Sequence, residues 1–247
     1  MSVPAEVPAD VLVLTGTGTG VGKTVVTAAV AALALHRRRS VAVLKPAQTG
    51  LGPDEPGDVD DVSRLAGGEV TTWELARFPD PLAPGTAARR ADILPVTPAQ
   101  AAAAAVELSR GHDQVLVEGA GGLLVRMDEH GGTLADVAWS IGAPVLIVAD
   151  AGLGTLNATA LTAEALRVRG IACAGVVVGS WPAEPDLAAR CNLDDLPVVA
   201  EAPLVGAVPA GAGTLGREEF LTVARASLAP SLGGEFDATG FAAEHAA

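Results

Sequence analysis

The chain alternates short apolar runs with longer stretches in which apolar and polar residues recur at helical spacing. Six apolar runs predict β-strands, near 11–15, 41–44, 114–118, 144–149, 173–178 and 204–208. Six further stretches predict helices, over 23–38, 58–66, 97–110, 133–141, 155–169 and 216–226. The apolar runs are continuous, which is typical of strands buried on both faces. This alternation predicts an α/β fold, with a parallel sheet covered by helices on both sides.

One domain, with a tail at each end, accounts for this pattern. Segment 68–96 is rich in proline and less regular, so we expect a short strand and connections there, crossing one edge of the sheet. Residues 1–9 and 228–247 are rich in Ala, Pro, Glu or Gly, and we predict that they are flexible tails outside the packed body. The expected domain therefore covers 10–227.

Composition and charge exclude several classes of function. A formal net charge of −13 repels nucleic acids and anionic membranes. With three Trp, four Phe and no Tyr, few rings are present for stacking on bases. No signal segment opens the chain and no apolar stretch approaches the ~20 residues of a membrane span. Cys173 and Cys191 have neither metal nor disulfide spacing, which predicts a reducing, cytoplasmic compartment. The charge and the lack of an apolar span predict a protein that binds neither nucleic acid nor membrane.

Only two lysines occur in the chain, and each follows a predicted strand. Lys23 lies in the run GTGTGVGKT at 16–24, and Lys45 opens the run KPAQTG at 45–50. A strand, a Gly-rich turn and a GKT that opens a helix are typical of a loop whose N–H groups cradle phosphate. Lys23 would reach the outer phosphates, and the Thr24 hydroxyl would bind Mg²⁺. Gly16 stands one residue earlier than in the usual motif, so the loop is a longer variant. The strand, loop and helix together predict a single-domain P-loop NTPase-like fold with a parallel sheet.

A magnesium ion needs hard oxygen ligands, and two acidic positions suit it. Glu118 ends a buried strand, where a carboxylate without a partner is costly. Asp58 begins a predicted helix, and Asp60 and Asp61 follow it closely. An Asp at a helix start also makes a good N-cap. The residue pattern therefore leaves Asp58, Asp60 and Asp61 open as the second carboxylate ligand.

Together these stretches resemble the dethiobiotin synthetase family, whose members close a cyclic urea in biotin biosynthesis. The resemblance is carried by GTGTGVGKT at 16–24, KPAQTG at 45–50 and VEGAGG at 117–122, with weaker support from GTLN at 154–157 and PAG at 209–211. It implies a Mg²⁺- and nucleotide-dependent ligase that carboxylates 7,8-diaminononanoate with CO₂. One amine becomes a carbamate, the carbamate attacks the γ-phosphate, and the second amine closes the ring on the mixed carbamic–phosphoric anhydride.

The resemblance also assigns roles to individual residues. It implies catalytic roles for Lys23, Lys45 and Thr49, and a metal set of Thr24, Asp58 and Glu118. The nucleotide-binding residues it implies are Thr19, Gly20, Val21, Gly22, Lys23, Thr24, Val25, Asp58, Glu118, Gly119, Ala120, Gly121, Gly179, Ser180, Pro209, Ala210 and Gly211. The substrate-binding residues it implies are Thr49, Gly154, Thr155, Leu156 and Asn157. It implies a homodimer, in which the helix that starts near Gly154 binds the tail carboxylate of the substrate from the neighbouring subunit.

The nucleotide and the general function each have an alternative. Ser180 stands where relatives often place an Asn that reads adenine, so CTP is an alternative to ATP as co-substrate. We interpret Trp181, which follows, as a packing residue rather than a base-stacking one. An amide-forming ligase shares the expected fold but usually carries a glutaminase domain, for which this chain has no room. A nucleotide-switched, partner-binding ATPase would need a second lysine near Gly18 and a basic or amphipathic surface, which the acidic balance disfavours.

Overall fold

The computed structural model describes residues 10–246, which form nine strands and nine α-helices. The strands are β1 (Asp10–Gly16), β2 (Val41–Lys45), β3 (Gln48–Thr49), β4 (Thr71–Glu74), β5 (Arg77–Phe78), β6 (Gln114–Gly122), β7 (Val145–Ala149), β8 (Cys173–Trp181) and β9 (Leu204–Pro209). The helices are α1 (Lys23–His36), α2 (Asp58–Ala66), α3 (Pro84–Ala91), α4 (Pro98–Ser109), α5 (Leu134–Ile141), α6 (Thr155–Val168), α7 (Leu187–Ala200), α8 (Arg217–Ser227) and α9 (Ala238–Glu244).

Seven strands form one sheet, in the order β4-β2-β6-β1-β7-β8-β9. All neighbouring pairs in this sheet are parallel, so the carboxyl ends of the strands meet at one edge. Strands β3 and β5 form a separate two-stranded parallel sheet beyond that edge. In open parallel sheets, ligands bind just outside the carboxyl ends of the strands. The expected class of fold, a single parallel sheet with helices on both faces, is confirmed.

An apolar core lies on each face of the sheet. Along β1, Val11 and Val13 pack into one core, whereas Leu12 and Leu14 pack into the other. This is why the predicted strands are continuously apolar, since neither face meets water. Helix α1 is buried around most of its surface, because α2 and α8 cover the side that faces away from the sheet.

The predicted strands and helices are all present, but the pattern missed three helices. Helix α3 lies in the Pro-rich segment 68–96, which also contributes β4 as an edge strand. Helix α7 was missed because Pro197 lies in its last turn and its sequence has little helical periodicity. Helix α9 is short and includes a glycine. Of the helices described over 10–246, none is long and apolar enough to cross a membrane.

The prediction that 228–247 is a flexible tail is wrong for residues 228–246. Leu228 is fully buried, and Phe236 is 7% exposed within the core that lies under β8. Helix α9 then packs against Trp181, with the ring of Phe241 at 5.3 Å. The segment belongs to the packed body because its aromatic side chains cover the carboxyl end of β8. Residues 1–9, the other predicted tail, lie outside the described residues, as does residue 247.

Candidate active site

The Gly-rich loop runs from the end of β1 into α1 and lies at the carboxyl edge of the sheet. Gly22 caps α1 with a φ of 91°, a left-handed conformation that favours glycine. A Cβ at Gly22 would lie 2.2 Å from the carbonyl oxygen of Gly179, at the end of β8. The loop is therefore held by a backbone contact with β8 that leaves no room for a side chain. Its N–H groups and the positive end of α1 are arranged to bind an anion.

Lys23 folds back over this loop. Its side chain is 8% exposed, and the Nζ donates a hydrogen bond to the carbonyl oxygen of Gly18 at 2.9 Å. Burial and then the charge of Lys45 lower the pKa of Lys23, against the opposing effect of Glu118 and Asp58. A cation destabilised in this way gains from a bound anion. The position fits a lysine that contacts phosphate oxygens.

Lys45, at the end of β2, is the centre of a buried ionic cluster. Its Nζ donates to Glu118 Oε1 at 2.8 Å and to the carbonyl oxygen of Gly119 at 3.2 Å, and it also pairs with Asp58 Oδ2. These three acceptors match the three donors of an ammonium group. Lys45 is 3% exposed and Glu118 is 1% exposed, so the charges are compensated within the protein.

The cluster shifts the proton affinities of its members. Burial alone would lower the pKa of Lys45, but the charges of Glu118 and Asp58 and their hydrogen bonds outweigh it, so the pKa is raised. Burial alone would raise the pKa of Asp58, but Lys45 outweighs it and the pKa is lowered. Both directions favour the ionised pair. Lys45 is therefore a fixed positive charge at the mouth of the phosphate loop.

The structure distinguishes among the three candidate aspartates of α2. Asp58 faces Lys45, whereas Asp60 accepts the N–H of Gly57 at 2.7 Å and so caps the helix. Asp61 forms an ion pair with Arg64 at 2.8 Å on the exposed side. Asp58 is thus the one of the three whose carboxylate is directed into the site.

Thr24, Asp58 and Glu118 form a set of oxygen donors that fits a magnesium ion. The Thr24 hydroxyl donates to Glu118 Oε1 at 2.9 Å, so the two side chains are adjacent. Glu118 Oε2 is buried and finds no hydrogen-bond partner among residues 10–246, which is costly unless a cation or water binds it. Carboxylates and a hydroxyl are ligands that Mg²⁺ prefers. No cluster of three or more His, Cys, Asp or Glu side chains arranged for a metal occurs in the described part of the chain, so phosphate and water oxygens would complete the set.

Two residues that position Asp58 were assigned no role from the sequence. Gln48 is 5% exposed, and its Oε1 accepts the N–H of Asp58 at 3.1 Å. Arg77 binds Glu74 at 2.7 Å and donates to the carbonyl oxygens of Gly52 and Glu55, so it holds the loop before α2. Gln48 lies in the KPAQTG run, whereas nothing in the sequence distinguished Arg77 from other arginines.

A cavity of about 700 Å³ opens between the phosphate loop, the Lys45 cluster and the start of α3. The expected site residues that line it are Thr19, Gly20, Gly22, Lys23, Thr24, Val25, Lys45, Thr49, Asp58, Ala120 and Gly121. Residues that were not expected also line it, namely Gln48, Pro81, Leu82, Ala83, Pro84 and Val125. Val21, Glu118 and Gly119 support it from beneath, since all three are buried.

The remaining expected residues do not line this cavity, and they belong to the ends of β7, β8 and β9 on one side of β1. Gly179 and Ser180 directly precede Trp181, the last residue of β8, and the exposed residues 209–211 lie at and just beyond the end of the neighbouring β9. The interpretation of Trp181 as a packing residue agrees with its 6% exposure. Gly154 to Asn157 begin α6 and do not line the cavity of their own chain, within the residues described.

The sheet order, the loop between β1 and α1, and the carboxylate of Glu118 within β6 define a P-loop nucleotide-binding protein. In agreement, a family model described as an AAA domain matches residues 10–214. Curated relatives narrow this class further. The ATP-dependent dethiobiotin synthetase BioD of Streptomyces coelicolor is 65% identical over 95% of this chain and 98% of its own length. That of Saccharopolyspora erythraea is 68% identical over 92% of this chain and 98% of its own. The chain belongs to the family of ATP-dependent dethiobiotin synthetases.

Solved structures show the same fold in more distant proteins. A ParA family ATPase from Chlorobium tepidum has a TM-score of 0.55 at 13% identity, over 87% of this chain and 89% of its own. The cell division ATPase MinD of Pyrococcus furiosus has a TM-score of 0.51 at 22% identity, over 81% of this chain and 83% of its own. At such identities the likeness concerns the fold alone.

Proposed function

We propose that this chain converts 7,8-diaminononanoate, CO₂ and a nucleoside triphosphate into dethiobiotin, a nucleoside diphosphate and phosphate. One amine adds to CO₂ and releases a proton, which gives a carbamate. A carbamate oxygen attacks the γ-phosphorus and displaces the diphosphate. The second amine then attacks the carbonyl carbon, closes the urea ring and expels phosphate. The family relationship supports this reaction, and the observation that carries it is the buried Lys45 ammonium at the edge of the phosphate loop.

Lys45 suits this chemistry because the carbamate and the γ-phosphate are both anions. Two anions approach each other only where fixed positive charge offsets their repulsion. Lys23 supplies such charge from the loop side, and Lys45 supplies it from the β2 side of the same cavity. Thr49 lines the cavity next to Lys45 and would donate its hydroxyl to the carbamate or to a substrate nitrogen. Placing the reactants between these groups is most of the catalysis that phosphoryl transfer requires.

Mg²⁺ would be held by Thr24, Asp58 and Glu118, with Asp58 as the family-implied acidic ligand. When bound, the ion would neutralise charge on the triphosphate oxygens. Glu118 is fixed for this role by Thr24 and Lys45, and Asp58 by the hydrogen bond of its N–H to Gln48. The Lys45 ammonium would be a second cation beside the ion. If Asp58 and Glu118 bound the ion instead of Lys45, the ammonium would be free to interact with the carbamate.

The nucleotide base would lie against Ser180 and the run Pro209–Gly211. An ATP co-substrate follows from the family, and CTP remains an alternative because Ser180 stands in place of an amide side chain. Ser180 and Ala210 are both exposed, and both are joined to Trp181, which follows Ser180 and accepts the N–H of Ala210, so a base can reach them.

We further propose a cytoplasmic homodimer in which α6 contributes to the substrate site of the partner subunit. Leu153 and Leu161 are 93% and 57% exposed on and beside α6, which is unusual for leucine on a surface that water covers. The Thr155 Oγ1 at the start of α6 is buried without a hydrogen-bond partner in the described chain. The N-terminus of α6 would receive the tail carboxylate of the diamine. Sedimentation analysis of wild type and Leu161→Asp tests this, since a wild-type monomer would contradict it.

Dethiobiotin formation tests the proposed reaction directly. Purified chain, diaminononanoate, labelled bicarbonate, Mg²⁺ and ATP should give dethiobiotin that carries the label, detected by mass spectrometry, together with one phosphate per ring closed. Omitting the diamine should nearly abolish phosphate release. Brisk hydrolysis without the diamine, or phosphate release without labelled product, would contradict the proposal. Parallel assays with CTP at equal concentration determine the preferred nucleotide.

A further inference from the structure

The C-terminal segment, residues 228–246, contributes nothing to the cavity described above, yet it gathers much of the aromatic content of the chain. Of seven Trp and Phe residues, three meet in one cluster, which consists of Trp181, Phe236, Phe241 and His245. We propose that this aromatic cluster positions the nucleotide base and so determines how tightly and how selectively the base is bound. This rests on the proposed function, in which the base lies beside Ser180.

The cluster is a packed unit centred on Phe241. The ring of Phe241 lies edge-on to Trp181, at 5.3 Å and 70°, and stands 5.2 Å from Phe236. His245 lies 5.2 Å from Trp181 and 4.3 Å from Phe241. Edge-to-face pairs at such distances are favourable beyond their burial alone. The orientation of Trp181 is therefore determined by residues about 60 positions later in the chain.

Trp181 is joined to both segments that would contact a base. It follows Ser180 directly, and its carbonyl oxygen accepts the N–H of Ala210 at 2.7 Å. The pairing of β8 with β9 is irregular between Val178 and Trp181, so Ser180 does not lie in a regular ladder position. The anchoring of Trp181 therefore acts on both Ser180, its neighbour in the chain, and Ala210, its hydrogen-bond partner.

The phosphate loop touches the same strand end from the other side. A Cβ at Gly179 would lie 2.0 Å from the carbonyl oxygen of Val21, so the two backbones are in direct contact. Ser180 lies between Gly179, which contacts the phosphate loop, and Trp181, which the aromatic cluster holds. These two contacts determine the distance between the phosphate loop and Ser180. Such a fixed distance can discriminate among bases, since a ligand group misplaced by a small shift loses its hydrogen bonds.

The base must lie on this side of the loop because the reacting side is already defined. Lys45 ends β2 and Glu118 lies within β6, and both strands are on one side of β1 in the sheet. Strands β8 and β9 end on the opposite side of β1. A triphosphate with its γ-phosphate near Lys45 therefore extends its nucleoside toward β8 and β9.

Phe241→Ala in the full-length chain tests the proposal, with binding of Mg–ATP and of Mg–tripolyphosphate measured by calorimetry. Tripolyphosphate has no base and occupies only the phosphate loop. Loss of the ring of Phe241, which pairs with Trp181, Phe236 and His245, should weaken ATP binding about three- to tenfold and leave tripolyphosphate binding unchanged. Phe241→Tyr, which keeps the ring, should restore ATP binding. The preference for ATP over CTP, in whichever direction it lies, should also diminish in Phe241→Ala.

A purely structural role predicts a different result. Leu108→Ala removes a buried side chain from the same core, in α4, which packs against β1, β2 and β6 rather than against β8 and β9, and it serves as the stability control. It should lower the melting temperature without changing the ratio of the two affinities. The proposal is overturned if Phe241→Ala weakens both ligands equally, or if ATP binding and base preference are unchanged. The binding assay needs no diamine, so it is independent of whether the wild-type chain forms dethiobiotin.

Discussion

Lys45→Arg should impair catalysis although it preserves the charge. The Lys45 ammonium satisfies three acceptors around a single nitrogen, with Glu118 Oε1 at 2.8 Å and the Gly119 carbonyl oxygen at 3.2 Å, in a place where only 3% of the residue is exposed. A guanidinium is planar and larger, and its donors form a fork that cannot converge on those acceptors. Extra volume in a buried position costs about 1–3 kcal/mol.

The expected loss of rate follows from the hydrogen bonds at stake. A hydrogen bond to a charged group contributes about 1.5–3 kcal/mol. Misplacing one such interaction in the transition state corresponds to a kcat about ten- to a hundredfold lower, because 1.36 kcal/mol is about a factor of ten in rate. The KM for ATP should change far less, since Lys23 and the loop N–H groups remain.

Steady-state assays of dethiobiotin formation would measure this, together with thermal unfolding to verify that the variant is folded. Arg110→Lys is the matched control, because Arg110 pairs with Glu107 on the exposed side of α4, with side chains 66% and 62% exposed. Exchanging the two cations there should alter stability by less than about 0.5 kcal/mol and leave turnover unchanged. Wild-type kcat in Lys45→Arg would refute the argument that this position requires an ammonium.

Three further predictions concern the carboxylates and their support. Asp58→Asn should raise the Mg²⁺ concentration needed for tight ATP binding, whereas Asp61→Asn should not; equal shifts in a magnesium titration would count against Asp58 as a ligand. Gln48→Leu leaves the partly buried N–H of Asp58 without its acceptor and should lower the free energy of unfolding in urea by about 0.5–1.5 kcal/mol, with an unchanged midpoint as the contrary result. The pKa of Asp58 in the folded protein is lowered from the ordinary value of 3.8, because the interaction with Lys45 outweighs burial. Ionised Asp58 therefore stabilises the fold fully above pH 3.8, and this stabilisation is lost as the pH falls through the lower folded pKa. The stability advantage of wild type over Asp58→Asn should therefore shrink on acidification, and an advantage that grew would show the opposite shift.

Much of the fold and the reacting half of the site could be predicted because their signals are local. Each central strand of the parallel sheet contains a continuous apolar run, and Lys45 and Glu118 follow directly after two of these runs. Lys45 ends β2 as expected, whereas Glu118 does not end its strand, because β6 continues to Gly122. The choice among Asp58, Asp60 and Asp61 could not be made from the residue pattern, since all three suit the first turn of a helix equally. It depends on the direction in which α2 begins, which Gln48 and Arg77 determine from other elements.

The C-terminal segment shows the opposite case. Its sequence is rich in Ala and Gly and has no amphipathic periodicity, so composition indicated a tail. It packs because Phe236 and Phe241 find Trp181, a contact between residues far apart in the chain. Patterns read over a few turns do not contain such information. The residues proposed to contact the base share this difficulty, because Ser180 and Ala210 are far apart in the chain and are linked only through Trp181.

The scarcity and burial of lysine determine how this protein can be labelled. The chain has two lysines, which are 8% and 3% exposed, so amine-reactive dyes, cross-linkers and sensor-chip esters find no lysine on the described surface. Any lysine modification that does occur would report an opened nucleotide pocket, and bound nucleotide should suppress it. A thiol is the better handle for attachment, since Cys191 is exposed on α7, away from the phosphate loop.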